Sequence, residues 1–255
     1  MRQGAGMRTI GKARTSAAVV LLVAGGAVTG AGAGIAGAHA PAPTCAGQRA
    51  TIVDPSKGDD RIVGTAKRDV IVAGRGKGRD VVLGLDGDDL ICGSARTRVV
   101  AGRGDDTVYF AGRADGGKGA DRFHGVGVAR GGKGADTAWV PMGAGSFDGG
   151  PGHDRVVFYE GYVAGATSGV YVNLALGLAS AETEVGSVRL RTLLAGVEEV
   201  RGTPDDDLIL GDGLDNVLRG GAGADVLDGR GGIDTVIGGR GRDTCTGEVR
   251  RGCER

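Results

Sequence analysis

A nine-residue unit, glycine-rich at its start and aliphatic near its end, restricts the folds open to this chain more than any other feature. Gly220-Gly221-Ala222-Gly223-Ala224-Asp225-Val226-Leu227-Asp228 shows it in full, as G-G-x-G-x-D-x-U-x with U a large aliphatic residue. Six glycine-rich residues make a turn, because glycine reaches positive φ without a Cβ clash. The three that follow make a very short strand, in which U points inward and its neighbours point out. Two units close one coil of a flattened solenoid, and strands of successive coils stack in parallel about 4.8 Å apart. One coil has almost no core, so stability comes from stacking and the ends need caps.

Copies of the unit are spread unevenly. In the C-terminal part the aspartates 207, 215, 225, 234 and 243 are separated by 8, 10, 9 and 9 residues. Near the start Asp60, Asp69, Asp80 and Asp89 each have an aliphatic residue two positions on: Ile62, Ile71, Val82 and Ile91. Asp106, Asp121, Asp136 and Asp154 head weaker copies at wider spacings of 17, 15, 15 and 18 from Asp89 onward, too irregular for one ladder with the rest. The expected fold is all-β, a parallel β-roll or β-solenoid of glycine- and aspartate-rich nonapeptides. Its expected parts are an array over 41–157 (clear repeats 58–93, weaker 102–157), an irregular β bridge over 158–201, a second array over 202–246 and a tail over 247–255. Within the bridge, alternation from Val170 to Leu178 predicts a strand with one apolar face, and Arg189 to Val200 a helix or a strand pair.

Composition supports a thin core. Glycine supplies 54 of 255 residues and aromatics only 4%. Collagen is excluded, since six prolines are too few and glycine does not fall at every third position. Residues 1–40 carry Arg2, Arg8, Lys12 and Arg14, then an uncharged stretch from Ala17 to Ala38, then Ala38-His39-Ala40. They predict a secretory signal peptide cleaved after Ala40, and hence a secreted, extracellular chain with no membrane span after cleavage. Without them, 27 basic and 31 acidic residues remain, a net charge of −4 that gives no case for nucleic acid. The four cysteines Cys45, Cys92, Cys245 and Cys253 suit disulfides in an exported chain. Of three pairings, Cys45–Cys92 with Cys245–Cys253 is preferred, because each bond pins one end of the array.

Each aspartate falls where a turn enters its strand. Stacked coils would align carboxylates and glycine carbonyls into an all-oxygen cage suited to a hard cation, and without a cation the carboxylates repel one another. The units resemble the nonapeptides of the haemolysin-type calcium-binding (RTX) family, several copies in succession. The stretch Cys45–Val53 and the unit Asp89-Leu90-Ile91-Cys92-Gly93 resemble its short secreted members from high-GC Gram-positive bacteria. Residues 169–177 and 194–202 resemble the segment that leads into a fresh run of repeats. The resemblance implies an extracellular β-roll binding Ca²⁺, with candidate ligands Asp60, Asp69, Asp80, Asp89, Asp106, Asp207, Asp215, Asp225, Asp234 and Asp243 and the turn glycines Gly220, Gly221 and Gly223. It implies no enzymatic activity by itself. Basic residues in the loops, such as Lys67, Arg68, Arg75, Lys118 and Lys133, depart from it. They oppose calcium if they pair with the aspartates and matter little if they face solvent.

No catalytic constellation stands out: H-E-x-x-H, G-x-S-x-G and the P-loop are missing, and His124 and His153 lack metal-ligand spacing. The leading expectation is a non-enzymatic calcium-binding structural protein, secreted or held at the cell surface. The alternatives are an extracellular carbohydrate- or protein-binding module held in shape by calcium, and a calcium-free scaffold. Trp139, Phe147, Phe158, Tyr159 and Tyr162 form an aromatic cluster in the chain, and an exposed aromatic patch near Trp139 would favour a binding module.

Overall fold

The short strands stack into two long, mainly parallel sheets facing each other across a single file of side chains. The structure is a computed structural model describing residues 42–54, 56–74, 76–140, 145–159, 169–182 and 189–253. The expected signal peptide, Arg75 and Tyr162 lie outside the described residues. Sheet I has twelve strands and sheet II eleven, and the chain alternates between them for about ten coils. Sheet I runs from Arg61–Val63 through Val81–Asp86 and Arg98–Arg103 to Thr244–Thr246. Sheet II runs from Ile52–Val53 through Val70–Val72 and Leu90–Cys92 to Val249–Arg251. Among the described residues no helix is long and apolar enough to cross a membrane.

The inward position of each strand carries the core. Ile62, Val82 and Val99 of sheet I face Ile71, Ile91 and Val108 of sheet II, all buried. Between the clear arrays the core changes size in a complementary way. Phe123 and Phe147, with centroids 6.2 Å apart, fill the space left by Ala114, Ala129 and Ala138. The aliphatic pattern thins there because two phenylalanines do the filling, and the stacking continues.

Both preferred disulfides form. Cys45–Cys92 ties the antiparallel pair Thr44–Cys45 and Gln48–Arg49 to the first coils, where Cys45 packs on Val70 and Leu90. Cys245–Cys253 closes the other end.

The bridge differs from the expected single strand. Tyr171–Asn173 stops at a 3₁₀ turn, Leu174–Leu176, because the Asn173 side chain accepts the Leu176 N–H and Gly177 adopts φ 60°. The chain returns antiparallel as Leu178–Glu182, which also pairs antiparallel with Arg189–Ala195. The segment expected as a helix or a strand pair is two strands, Arg189–Ala195 and Glu199–Arg201. Sheet I therefore has three strands at the level where sheet II has one, Glu199–Arg201.

Candidate metal centre and the aspartate rows

In most coils the residue before a short strand is an aspartate, and apart from the half-buried Asp60 these aspartates are buried. The aspartate Oδ1 accepts the backbone N–H of its counterpart one coil earlier. Along the sheet II edge the donors and acceptors run Asp69 to Asp89 (2.8 Å), Asp89 to Asp106 (2.8 Å), Asp106 to Asp121 (2.9 Å), Asp121 to Asp136 (2.8 Å) and Asp136 to Asp154 (2.7 Å). Glu198 takes over for Asp154, Asp234 accepts from Asn216, and Glu248 accepts from Asp234. Along the sheet I edge Asp60 donates to Asp80, Asp207 to Asp225 and Asp225 to Asp243.

The middle copies, expected to fall outside any regular ladder, belong to its longest unbroken aspartate run, from Asp69 to Asp154. Two coils there are only 15 residues long, because three residues suffice to join Tyr109 to Arg113 and His124 to Val128, and the sheet I edge carries Thr97, Gly112, Gly127 and Gly145 in place of an acid. One aspartate per coil then reads in the sequence as a spacing of 15.

Asp215 is a correction. It is exposed, and the buried position in the row belongs to Asn216. Asn216 lies two residues before the buried Leu218, whereas Asp215 points to the outward Val217. With Asn216 the positions 207, 216, 225, 234 and 243 are an even nine apart, the signal that a search for aspartate alone misses. Asp215 instead accepts the N–H of Ile233 from the next coil at 2.7 Å. Asp59, Asp88, Asp105 and Asp206 do likewise for Arg79, Asp105, Ala120 and Ala224. The pairs Asp88-Asp89, Asp105-Asp106 and Asp206-Asp207 thus bond one coil back through the second carboxylate and one coil forward through the first.

The second oxygen of the buried carboxylates has a different fate. Oδ2 of Asp89, Asp106, Asp121, Asp136, Asp154, Asp225, Asp234 and Asp243 is buried with no hydrogen-bond partner among the described residues. For Asp89, Asp121, Asp136, Asp225, Asp234 and Asp243 it lies against the glycine five residues earlier, whereas before Asp106 that position is Ala101. A Cβ at Gly220 would meet Asp225 Oδ2 and the Gly238 carbonyl well inside van der Waals contact. Gly221 and Gly223, at φ 137° and 105°, carry the turn past Thr203 and Asp205 of the coil before. An unpartnered buried carboxylate oxygen is costly when charged. Burial, with the neighbouring carboxylates adding to it, pushes Asp106 up to about 7 and Asp121 up to about 8 against the pull of the backbone N–H. Asp89, Asp154 and Asp225 are pushed up to about 6 for the same reasons.

Among the described residues, three carboxylates converge at the N-terminal end. Ligand oxygens of Asp54, Asp60 and Asp80 all lie within 4.8 Å of one another. Asp54 leaves sheet II, Asp60 enters sheet I, and Asp80 enters sheet I one coil later. Asp54 and Asp80 are buried, and Asp54 Oδ1 accepts the Ser56 N–H at 3.0 Å. Asp54 escaped the sequence reading because it follows a strand, outside the G-x-D-x-U frame. An all-oxygen donor set of this kind fits a hard cation and disfavours soft ones. Most of the loop cations stay off the rows, although at Asp89, where burial pushes the carboxyl up, the Arg68 charge is near enough to pull it part of the way down. Lys67, Lys77, Arg79, Arg103, Lys118, Lys133 and Arg240 are exposed and make no ion pair with a row aspartate among the described residues.

The family model described as RTX calcium-binding nonapeptide repeat (4 copies) matches residues 56–77, 76–95 and 210–245. No curated protein matches the chain.

Proposed function

On the premise that this chain carries the nonapeptide repeats of the RTX calcium-binding family, we propose that it is a secreted, non-enzymatic structural protein that binds Ca²⁺ through its turns. The observation that carries this reading is the convergence of Asp54, Asp60 and Asp80. These three would hold the ion, with backbone carbonyls or water completing the 6–8 oxygens calcium takes. The unpartnered Oδ2 atoms of the rows are further candidate ligands, from Asp89 and Asp106 at one end to Asp225, Asp234 and Asp243 at the other. Bound calcium supplies positive charge that offsets the mutual repulsion of the stacked carboxylates. The chain's own residues align those carboxylates, exclude water from them and fix each Oδ1 on a backbone N–H.

Two disulfides suit an oxidising compartment. Together with the basic, then apolar, residues 1–40 they support export. The repeat is occupied with its own coil-to-coil bonding, which supports a structural role over catalysis.

Calorimetric titration of the oxidised protein tests the reading. Calcium is expected to bind at more than one site and magnesium much more weakly. Asp80→Asn is expected to remove the tightest site while circular dichroism stays β-rich. A stripped protein that takes up no calcium at millimolar concentration sinks the proposal, and the scaffold reading then holds.

A further inference from the structure

The outward face of sheet II carries a row of side chains in register: Tyr109, His124, Trp139, Val157, Arg201 and Arg219. Its first three rings form a stack. Tyr109 and His124 have centroids 4.5 Å apart at 7°, and His124 and Trp139 4.3 Å apart at 11°. At Val157 the stack stops, because an isopropyl group cannot continue it. Past Trp139 lies an open cavity of about 510 Å³, lined by Trp139, Arg155, Val157, Glu199, Arg201 and Arg219.

The dimensions suit a single ring. Two strand steps separate Trp139 from Arg201, roughly 9.6 Å. That is about twice the stacking distance on the other side of the indole. A ring seated over Val157 would occupy the missing rung, with Trp139 on one side and a guanidinium on the other.

The charges select the ring. Glu199 is buried and bridges Arg155 at 2.6 Å and Arg219 at 2.9 Å. Burial alone would raise its carboxyl, but the two guanidinium groups outweigh that and hold it below the usual range. Arg155 and Arg219 are thereby fixed in place. Arg201 is exposed and has no acidic partner among the described residues. Three arginines against one glutamate give the cavity a local charge of +2, on a chain with no net positive charge. A guanidinium fork matches a carboxylate bidentately. The indole N–H of Trp139 also lacks an acceptor among the described residues, and it can serve a hydroxyl. Glu199 beneath the arginines opposes a polyphosphate strand, whose backbone offers acceptors alone.

We propose that this slot between Trp139 and Arg201 binds a carboxylated pyranose, a uronic-acid residue of an acidic polysaccharide. The slot uses none of the carboxylates assigned to calcium, so the proposal stands or falls independently of that reading.

Trp139 is the single tryptophan of the chain, so its fluorescence reports on the slot directly. The oxidised full chain is titrated with a galacturonic acid tetramer, a galactose tetramer and an oligothymidylate. The expected result is a saturable change with the galacturonate tetramer, weaker by about tenfold or more with the neutral tetramer and with Arg201→Gln. Val157→Phe fills the rung with a fourth ring. It is expected to abolish binding while its melting temperature stays at or above that of the parent, which separates a blocked slot from a damaged fold. No saturable change with the galacturonate tetramer overturns the proposal. So does equal binding of the neutral tetramer, tighter binding of the oligothymidylate, or undiminished binding by Val157→Phe.

Discussion

The backbone N–H of Asp106 donates to Oδ1 of Asp121, one coil further on, at 2.9 Å, while Oδ2 of the same carboxylate stays buried without a partner. Half of each row carboxylate thus belongs to the fold whether or not an ion is bound. The other half is the source of the repeat's electrostatic load. The neighbouring Asp105 reaches the other way and accepts the N–H of Ala120 at 2.8 Å, so one Asp-Asp pair joins three coils. Four measurements separate these roles.

Asp121→Ala removes the acceptor and leaves the Asp106 N–H buried and unpaired. A loss of about 1–3 kcal/mol is expected, read by urea denaturation in chelator. Asp121→Asn keeps an acceptor oxygen and discards the ionisation, so at pH 8 it is expected to be at least as stable as the parent. Equal destabilisation by both variants would show that the carboxylate's charge, and not its acceptor, holds the coils together.

Stability should depend on pH in a direction opposite to that of an ion-paired protein. Asp106, raised to about 7, and Asp121, raised to about 8, keep their protons at pH values where the unfolded chain has lost them. The folded state then binds more protons between about pH 4 and pH 8. This contribution is complete below the unfolded value and drains away as pH rises through 6, 7 and 8. The urea midpoint in chelator is expected to be lower at pH 8 than at pH 5, and calcium is expected to narrow the gap. A midpoint that rises over this interval contradicts the assignment.

Gly116 meets Asp121 as Gly220 meets Asp225. A Cβ there would collide with Asp121 Oδ2 and the Gly131 carbonyl. Gly116→Ala is expected to cost about 1–3 kcal/mol, as for overpacking of a tight interior. Pairing it with Asp121→Ala removes one side of the collision, so the double variant is expected to lose less than the two single losses added. Strict additivity would place the strain at the carbonyl instead.

The two disulfides should differ in weight. Cys45–Cys92 spans 47 residues and Cys245–Cys253 spans 8. On the loop-entropy relation their removal is worth roughly 4 and about 2.5 kcal/mol respectively. Cys45→Ser with Cys92→Ser is expected to lower the thermal midpoint more than Cys245→Ser with Cys253→Ser. Hydrogen exchange should place the first loss around Val70 and Leu90, on which Cys45 packs. The reverse order in the thermal midpoints would show that the C-terminal cap limits unfolding.

The sequence by itself determined what happens within a single coil. The glycine run made the turn, the U position chose the inward side chains from Ile62 to Leu227, and the placing of the cysteines at the array ends pointed to the two bonds that form. These are local matters of conformational freedom and side-chain alternation, and the nine-residue pattern carries them directly. Which coil meets which depended on the tertiary structure, because register accumulates over coils of unequal length. Asn216 in place of Asp215, the continuous row through Asp106 and Asp154, and the convergence of Asp54 with Asp80 follow from that register. So does the stack of Tyr109, His124 and Trp139: fifteen-residue spacing has no meaning in the chain until fifteen residues make one coil and bring each ring onto the last. The bridge was decided in the same way, since Asn173 and Gly177 turn an alternating apolar run into a hairpin that only the neighbouring strands of sheet I could accept.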